Sequence, residues 1–161
     1  MPLKLVPQLV SETLWGKSAY QLFGRRALWK RIRTDALTAA NRTCEICDEK
    51  PSEIFGDPLT CHEVWHYDDK KGTATLTQFK IQCHRCDAAS HMGRTVYYGG
   101  GNLALLQLCK VNRVDTEKAR GIYRDAMAVW KKRNKRKWKI RVAKSLLKQY
   151  PQLAALIESK H

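Results

Sequence analysis

No apolar run in this chain approaches the roughly 20 residues that a membrane-spanning helix needs. Met1 to Val10 is broken by Pro2, Lys4 and Pro7, so it lacks the unbroken apolar core of a signal peptide. Together these absences predict a cytoplasmic protein with no membrane partner. No internal repeat is evident. Acidic residues are scarce, 15 Asp/Glu against 30 Lys/Arg, and the net charge of +15 predicts a polyanionic partner, nucleic acid above all. The chain is not a disordered tail: 43% of its 161 residues are apolar, enough for a modest core.

The charge is unevenly placed. Residues 1–43 carry eight Lys/Arg and two Asp/Glu, residues 110–161 carry sixteen and four, and the stretch between them carries six and nine. Basic flanks around a slightly acidic centre suit a clamp on nucleic acid that holds a cation in its middle. The centre also holds all six cysteines. Cys44-Glu45-Ile46-Cys47 and Cys83-His84-Arg85-Cys86 are C-x2-C knuckles, each presenting two sulfurs on a tight turn. Two such pairs can close a tetrahedron around zinc, so Cys44, Cys47, Cys83 and Cys86 are the expected ligands of a structural Zn2+. Four cysteines at metal spacing fit a reducing compartment better than a disulfide scaffold. Cys61 and Cys109 are left over, and Cys109, in the apolar run from Leu103, reads as a buried thiol.

Residues 25–40 have the pattern of an amphipathic helix, with Leu28, Ile32 and Ala36 on one face. Pro51 to Pro58 reads as a loop. A hairpin is expected next, with Cys61 to Tyr67 and Thr73 to Gln82 as strands around the turn Asp68-Asp69-Lys70-Lys71-Gly72. The second knuckle should open a short helix through about Met92, and Gly99-Gly100-Gly101 a flexible joint. Asp115 is a plausible N-cap for a helix carrying Ala119, Ile122, Tyr123, Ala126, Val129 and Trp130. Trp138, Val142, Leu146 and Tyr150, at steps of four, predict a further helix interrupted by Pro151.

The segments CEIC, CHEVWHYDD and LTQFKIQCHRCDAASHMGR, in this order, resemble the HNH nuclease family with its ββα-metal active site, in its phage and bacterial branch. The close resemblance spans residues 44–94, and a looser one continues through Val111-Asn112 and Trp130 to Trp138. It implies an α+β fold: a zinc-stapled ββα-metal centre over 44–98, a basic helical arm over 1–43 and a basic helical region over 99–161. It further implies a DNA endonuclease, bacterial or phage-encoded, that hydrolyses phosphodiester bonds with one catalytic divalent metal such as Mg2+ or Mn2+. Carried over by position, His62 is the general base, and an imidazole suits that role because its unperturbed pKa lies near 6.5. Cys61, Asp87 and His91 are the implied ligands of the catalytic ion, and Gln78 supplies the middle amide that orients the base or the scissile region. A second register, with His62 as metal ligand and Glu63 as base, remains open. The chain departs from the family in having Cys61 where Asp or His is usual, Asp87 where His is common and Gln78 for Asn.

Around this centre, Arg94 is a candidate phosphate clamp, while His66 and His84 read as a surface histidine and a turn-capping or phosphate-touching one. Trp65 and Tyr67 read as hairpin core. Lys131 to Lys139, seven basic residues in nine, could lie along a phosphate backbone through Lys131, Lys132, Arg133, Lys135, Arg136 and Lys137. The expected partner is double-stranded DNA. A monomer with one site would nick, whereas a double-strand cut would need two sites or a homodimer. The rival readings are a catalytically inactive, zinc-dependent nucleic-acid-binding module and a phage packaging or assembly protein.

Overall fold

A β-hairpin organises the structure. In a computed structural model, which describes residues 2–51 and 59–158, β1 (Thr60–Asp68) pairs antiparallel with β2 (Thr73–Gln82). Of the loop expected over Pro51 to Pro58, all but Pro51 lies outside the described residues. The Asp68 carboxylate accepts the N–H groups of Lys70 and Lys71, both at 3.0 Å, and closes the turn. Gly72 ends it at φ +64°, where a Cβ would be strained and would meet the Arg136 guanidinium at 2.5 Å.

The hairpin is not regular. Val64 faces Gln78 but Trp65 faces Leu76, so Thr77 is an extra residue in β2, and its hydroxyl donates to the Val64 carbonyl at 3.0 Å. The bulge explains the apolar pattern of β2. Side chains alternate along a strand, and the inserted residue lets Ile81, Phe79, Leu76 and Ala74 all reach the core face despite their mixed spacing. In β1 the same face carries Cys61, Glu63, Trp65 and Tyr67, and the opposite face carries His62, Val64 and His66.

A third strand, β3 (Lys139–Val142), runs parallel to β2 and completes the order β1-β2-β3. This corrects the helix expected from Trp138 to Tyr150. Trp138, Ile140 and Val142 are buried at strand spacing, and only the residues from 144 onward, α7 (Lys144–Gln149), are helical. The steps of four are compatible with both periods. The basic run therefore joins a helix to a strand rather than two helices.

Among the described residues, seven further helices surround the sheet. α1 (Ala19–Phe23) starts at a capping box, in which the Ser18 hydroxyl accepts the Gln21 N–H and the Gln21 side chain accepts the Ser18 N–H. α2 (Ala27–Ala39) buries Trp29, Ile32 and Leu37. α3 (His84–Ser90) and α4 (Met92–Tyr97) are separated by a break at His91, followed by α5 (Gly101–Asn112) and α6 (Thr116–Arg133). Asp115 caps α6 as expected, accepting the Lys118 N–H at 2.7 Å. After α7, a 3-10 turn (Pro151–Leu153) leads into α8 (Ala154–Glu158). Among the described residues no helix is long and apolar enough to cross a membrane.

Two apolar clusters share the sheet. One packs Trp29, Ile32, Leu76, Trp138, Leu153 and Leu156 between α2, the core face and the C-terminal segment. The other packs Ile46, Ile81, Met92, Ala104, Leu108 and Ala119 around the buried cysteines. An arm without regular secondary structure, residues 5–11, is laced over both halves. The Asn112 side chain pairs with both backbone groups of Leu5 at 3.0 and 2.7 Å, Gln8 N–H donates to the Ser90 carbonyl at 2.8 Å, and Trp130 Nε1 donates to the Val10 carbonyl at 3.0 Å.

Candidate metal centres

The two knuckles meet because the chain around each is pinned to the other. Glu45 N–H donates to the Ile81 carbonyl at 2.9 Å, and Ile81 N–H donates to the Glu45 carboxylate at 2.6 Å. Glu49 bridges Arg85 of the second knuckle and Lys110 of α5. The result brings Cys44, Cys47, Cys83 and Cys86 together with their sulfurs within 4.8 Å of one another. A tetrahedron with metal–sulfur bonds of about 2.3 Å has sulfur–sulfur edges of about 3.8 Å, and Cys47 and Cys83 stand 3.7 Å apart. That is far too long for a disulfide, which has sulfurs about 2.05 Å apart.

The electrostatics agree. Hydrogen bonding with Cys83 and then Cys86 pulls Cys44 strongly towards thiolate, whereas Cys86 is pushed strongly up by sharing with Cys44 and Cys83. Burial pushes Cys47 up to about 12. Four crowded sulfurs cannot all ionise unless a cation sits among them. The donor set fits a structural metal such as zinc.

A second cluster lies on the opposite face of β1. His62 Nδ1 stands 3.4 Å from Asp87 Oδ1, His91 Nε2 stands 3.6 Å from the same oxygen, and the two imidazole rings are 4.8 Å apart. Three features place them. Strand alternation turns His62 off the core face; α3 begins at the second knuckle and carries Asp87 one turn in; and His91 sits one turn later, its N–H donating to the Asp87 carbonyl at 2.9 Å. His91 is also the break between α3 and α4, where Thr95 Oγ donates to the Ala88 carbonyl at 2.6 Å and holds α4 in place.

The protonation pattern suits a cation. Burial, reinforced by His62, pulls the His91 imidazole down to about 4, so it is neutral near pH 7. Burial opposes ionisation of Asp87, yet the adjacent His62 and His91 rings together hold its carboxyl below the usual range. His62 is 3% exposed, and its Nδ1 has no hydrogen-bond partner. The approach to Asp87 is too long for a charge-assisted N–H···O bond, which runs about 2.7–2.9 Å. Buried polar atoms without partners are rare, and this one faces a carboxylate and a second imidazole.

Several expected roles change. Cys61 does not join Asp87 and His91: as the neighbour of His62 in a strand it points to the core face, where burial and then the Glu63 charge push its thiol up to about 12. His62 is not presented as a free base, since its Nε2 faces Gln8 Oε1 at 3.2 Å and its Nδ1 faces Asp87. Glu63 is not available as the base of the second register either. It is turned to the start of α1, where its carboxylate accepts the Ala19 and Tyr20 N–H groups, and burial pushes it up to about 7. Gln78 shares the face of His62 but is exposed opposite Val64, outside the cluster.

The surroundings sort the remaining candidates. Arg94 is exposed and lines a shallow depression with His84, Asp87 and Tyr98. In the basic run, Lys131, Lys132, Lys135 and Lys137 are exposed. Arg133 is instead half-buried and stacks 3.9 Å from the Tyr67 ring centroid, whereas Arg136, also exposed, lies over Trp138 and donates to the Asp69 carbonyl at 2.7 Å. Trp65 and Tyr67 belong to the core, Cys109 packs half-buried beside the knuckles and His66 is exposed. Gln8 is the neighbour of His62 that sequence reasoning missed, because an aperiodic segment far from the motif gives no local signal. Compared with protein-family models, curated proteins and solved structures, the chain matches none.

Proposed function

We propose that the protein is a metal-dependent nuclease of HNH type that hydrolyses phosphodiester bonds in DNA, with His62, Asp87 and His91 holding the catalytic ion and the four knuckle cysteines holding structural zinc. The observation that carries this reading is the convergence of two imidazole nitrogens and one carboxylate oxygen, one of the nitrogens buried and unpartnered. When bound, a divalent cation supplies Lewis-acid stabilisation of charge on phosphate oxygens. Two imidazoles and a carboxylate favour Mn2+, Co2+, Ni2+ or Zn2+ over Mg2+. Arg94 and His84 flank Asp87 along the depression and orient the phosphate. The exposed lysines of the 131–137 segment hold the backbone further out, by charge rather than by base reading.

The test is plasmid cleavage with Mn2+, Mg2+ or excess EDTA. Metal-dependent nicking or linearisation should be lost in Asp87→Ala and His91→Ala while DNA binding persists. A second reading, a nucleic-acid-binding module without turnover, draws support from the commitment of His62 to the cluster and of Glu63 to α1. Salt-sensitive DNA binding by a zinc-loaded wild type that never cleaves would select it.

A further inference from the structure

We propose that Gln8, on the N-terminal arm, is a positioning residue that sets the His62 tautomer: its side-chain oxygen takes the Nε2 proton and leaves the Nδ1 lone pair facing Asp87 and His91. The proposal rests on the reading of that cluster as a divalent-metal site, and it makes the arm part of the site.

A neutral imidazole carries one proton on two nitrogens, so whatever binds one nitrogen decides what the other can do. Here the choice has two outcomes. With the proton on Nε2, it is donated to Gln8 Oε1 at 3.2 Å, and Nδ1 becomes a donor atom for a cation. With the proton on Nδ1, the ring leans on Asp87 as a carboxylate-oriented base does, and Gln8 must turn its amide nitrogen towards Nε2. The structure favours the first outcome. A proton on Nδ1 would lie on the atom that makes no hydrogen bond, whereas a proton on Nε2 is used.

Gln8 is held where this choice is made. Its own N–H is fixed to the Ser90 carbonyl at the end of α3, the element that carries Asp87. Ser90 Oγ in turn donates to Gln82 Oε1 at 3.0 Å, between buried side chains. On either side the arm is tied down at Leu5 by Asn112 and at Ser11, whose N–H donates to the Tyr67 hydroxyl at 3.1 Å. Outer hydrogen bonds of this kind fix a ligand histidine and are worth about 10–100-fold in metal affinity. Gln8 itself is exposed, so replacing it removes no core packing.

The experiment compares the full-length wild type with Gln8→Leu and Gln8→Glu, the knuckles loaded with zinc beforehand. Co2+ is titrated and followed by its d–d absorption, with thiolate charge-transfer bands marking any exchange into the knuckles. Long-range nitrogen–proton NMR correlation reads the His62 tautomer directly. The expected results are an Nε2–H tautomer in the wild type, Co2+ binding about tenfold or more weaker in Gln8→Leu, and recovery in Gln8→Glu, which keeps an oxygen acceptor. An Nδ1–H tautomer in the wild type, or equal Co2+ affinity in wild type and Gln8→Leu, overturns the proposal and leaves the metal site standing. Absence of any Co2+ binding outside the knuckles in the wild type overturns the metal-site reading itself, and the role of Gln8 with it.

Discussion

Zinc removal should unfold one half of the molecule. Cys44 and Cys86 are fully buried, Cys83 nearly so, and the apolar cluster that contains them also holds α3, α5 and the start of α6 against β2. Structural zinc contributes about 10–16 kcal/mol in small zinc-finger peptides at neutral pH. A whole domain is stable by only about 5–15 kcal/mol. Even if only half of the peptide value operates here, its loss approaches the full stability of the fold. The second cluster, built on Trp29, Leu76, Trp138 and Leu153, contains no zinc ligand. Chelation with a strong zinc chelator should therefore cut the helical circular dichroism, abolish the main cooperative melt and release a single zinc from the knuckles. Cys86→Ser should reproduce the effect without chelator, since a hydroxyl replaces one of the four thiolates that close the site, even though it can still accept the Gln107 N–H that now donates to the Cys86 sulfur at 3.1 Å. A melt and a spectrum unchanged after verified zinc removal would refute the reasoning, because they would mean that the apolar cluster closes without the ion.

Three other perturbations test separate parts of the structure. Glu63→Gln keeps an acceptor for the α1 N–H groups, so metal-dependent cleavage should persist; its abolition in a folded variant would restore Glu63 as the base. Replacing Lys131, Lys132, Lys135 and Lys137 by Ala should flatten the salt dependence of DNA binding by about 0.9 in slope for each phosphate that is no longer neutralised, as read by fluorescence anisotropy, whereas Arg133→Ala should chiefly lower the melting temperature by uncovering Tyr67. Tyr150→Phe removes a 2.7 Å hydrogen bond to Asp35 and should cost about 1 kcal/mol in urea unfolding; no change would mean that α2 and the C-terminal segment are joined by packing alone.

What the sequence made legible was local. The knuckles, the hairpin turn and the Asp115 cap are each specified by a few adjacent residues, and each formed where their chemistry required. Cys61 and His62 show a signal that was present but not applied: adjacent residues in a strand cannot both point into one cluster without distorting it. The Thr77 bulge was readable in principle, since β2 buries Ile81 and Phe79 on one parity and Leu76 and Ala74 on the other. β3 was not, because four residues at the end of a basic run carry too little pattern, and their pairing with β2 is decided by packing at long range. Gln8 was the least legible of all. Nothing in an aperiodic Pro-containing arm announces a partner 54 residues away.

That arm also has a consequence for the order in which the molecule is completed. Its residues are made well before their partners: Leu5 waits for Asn112 across 107 positions, Val10 for Trp130 across 120 and Glu12 for Asn134 across 122. Contacts of such separation carry the loop-closure entropy that slows folding. The knuckles and hairpin, complete by Cys86, can come together around a structural metal while the rest of the chain is still being made. Gln8 is seated beside His62 only when α5 and α6 have arrived to tie down the arm, so the imidazole acquires its final surroundings late in folding rather than at the start.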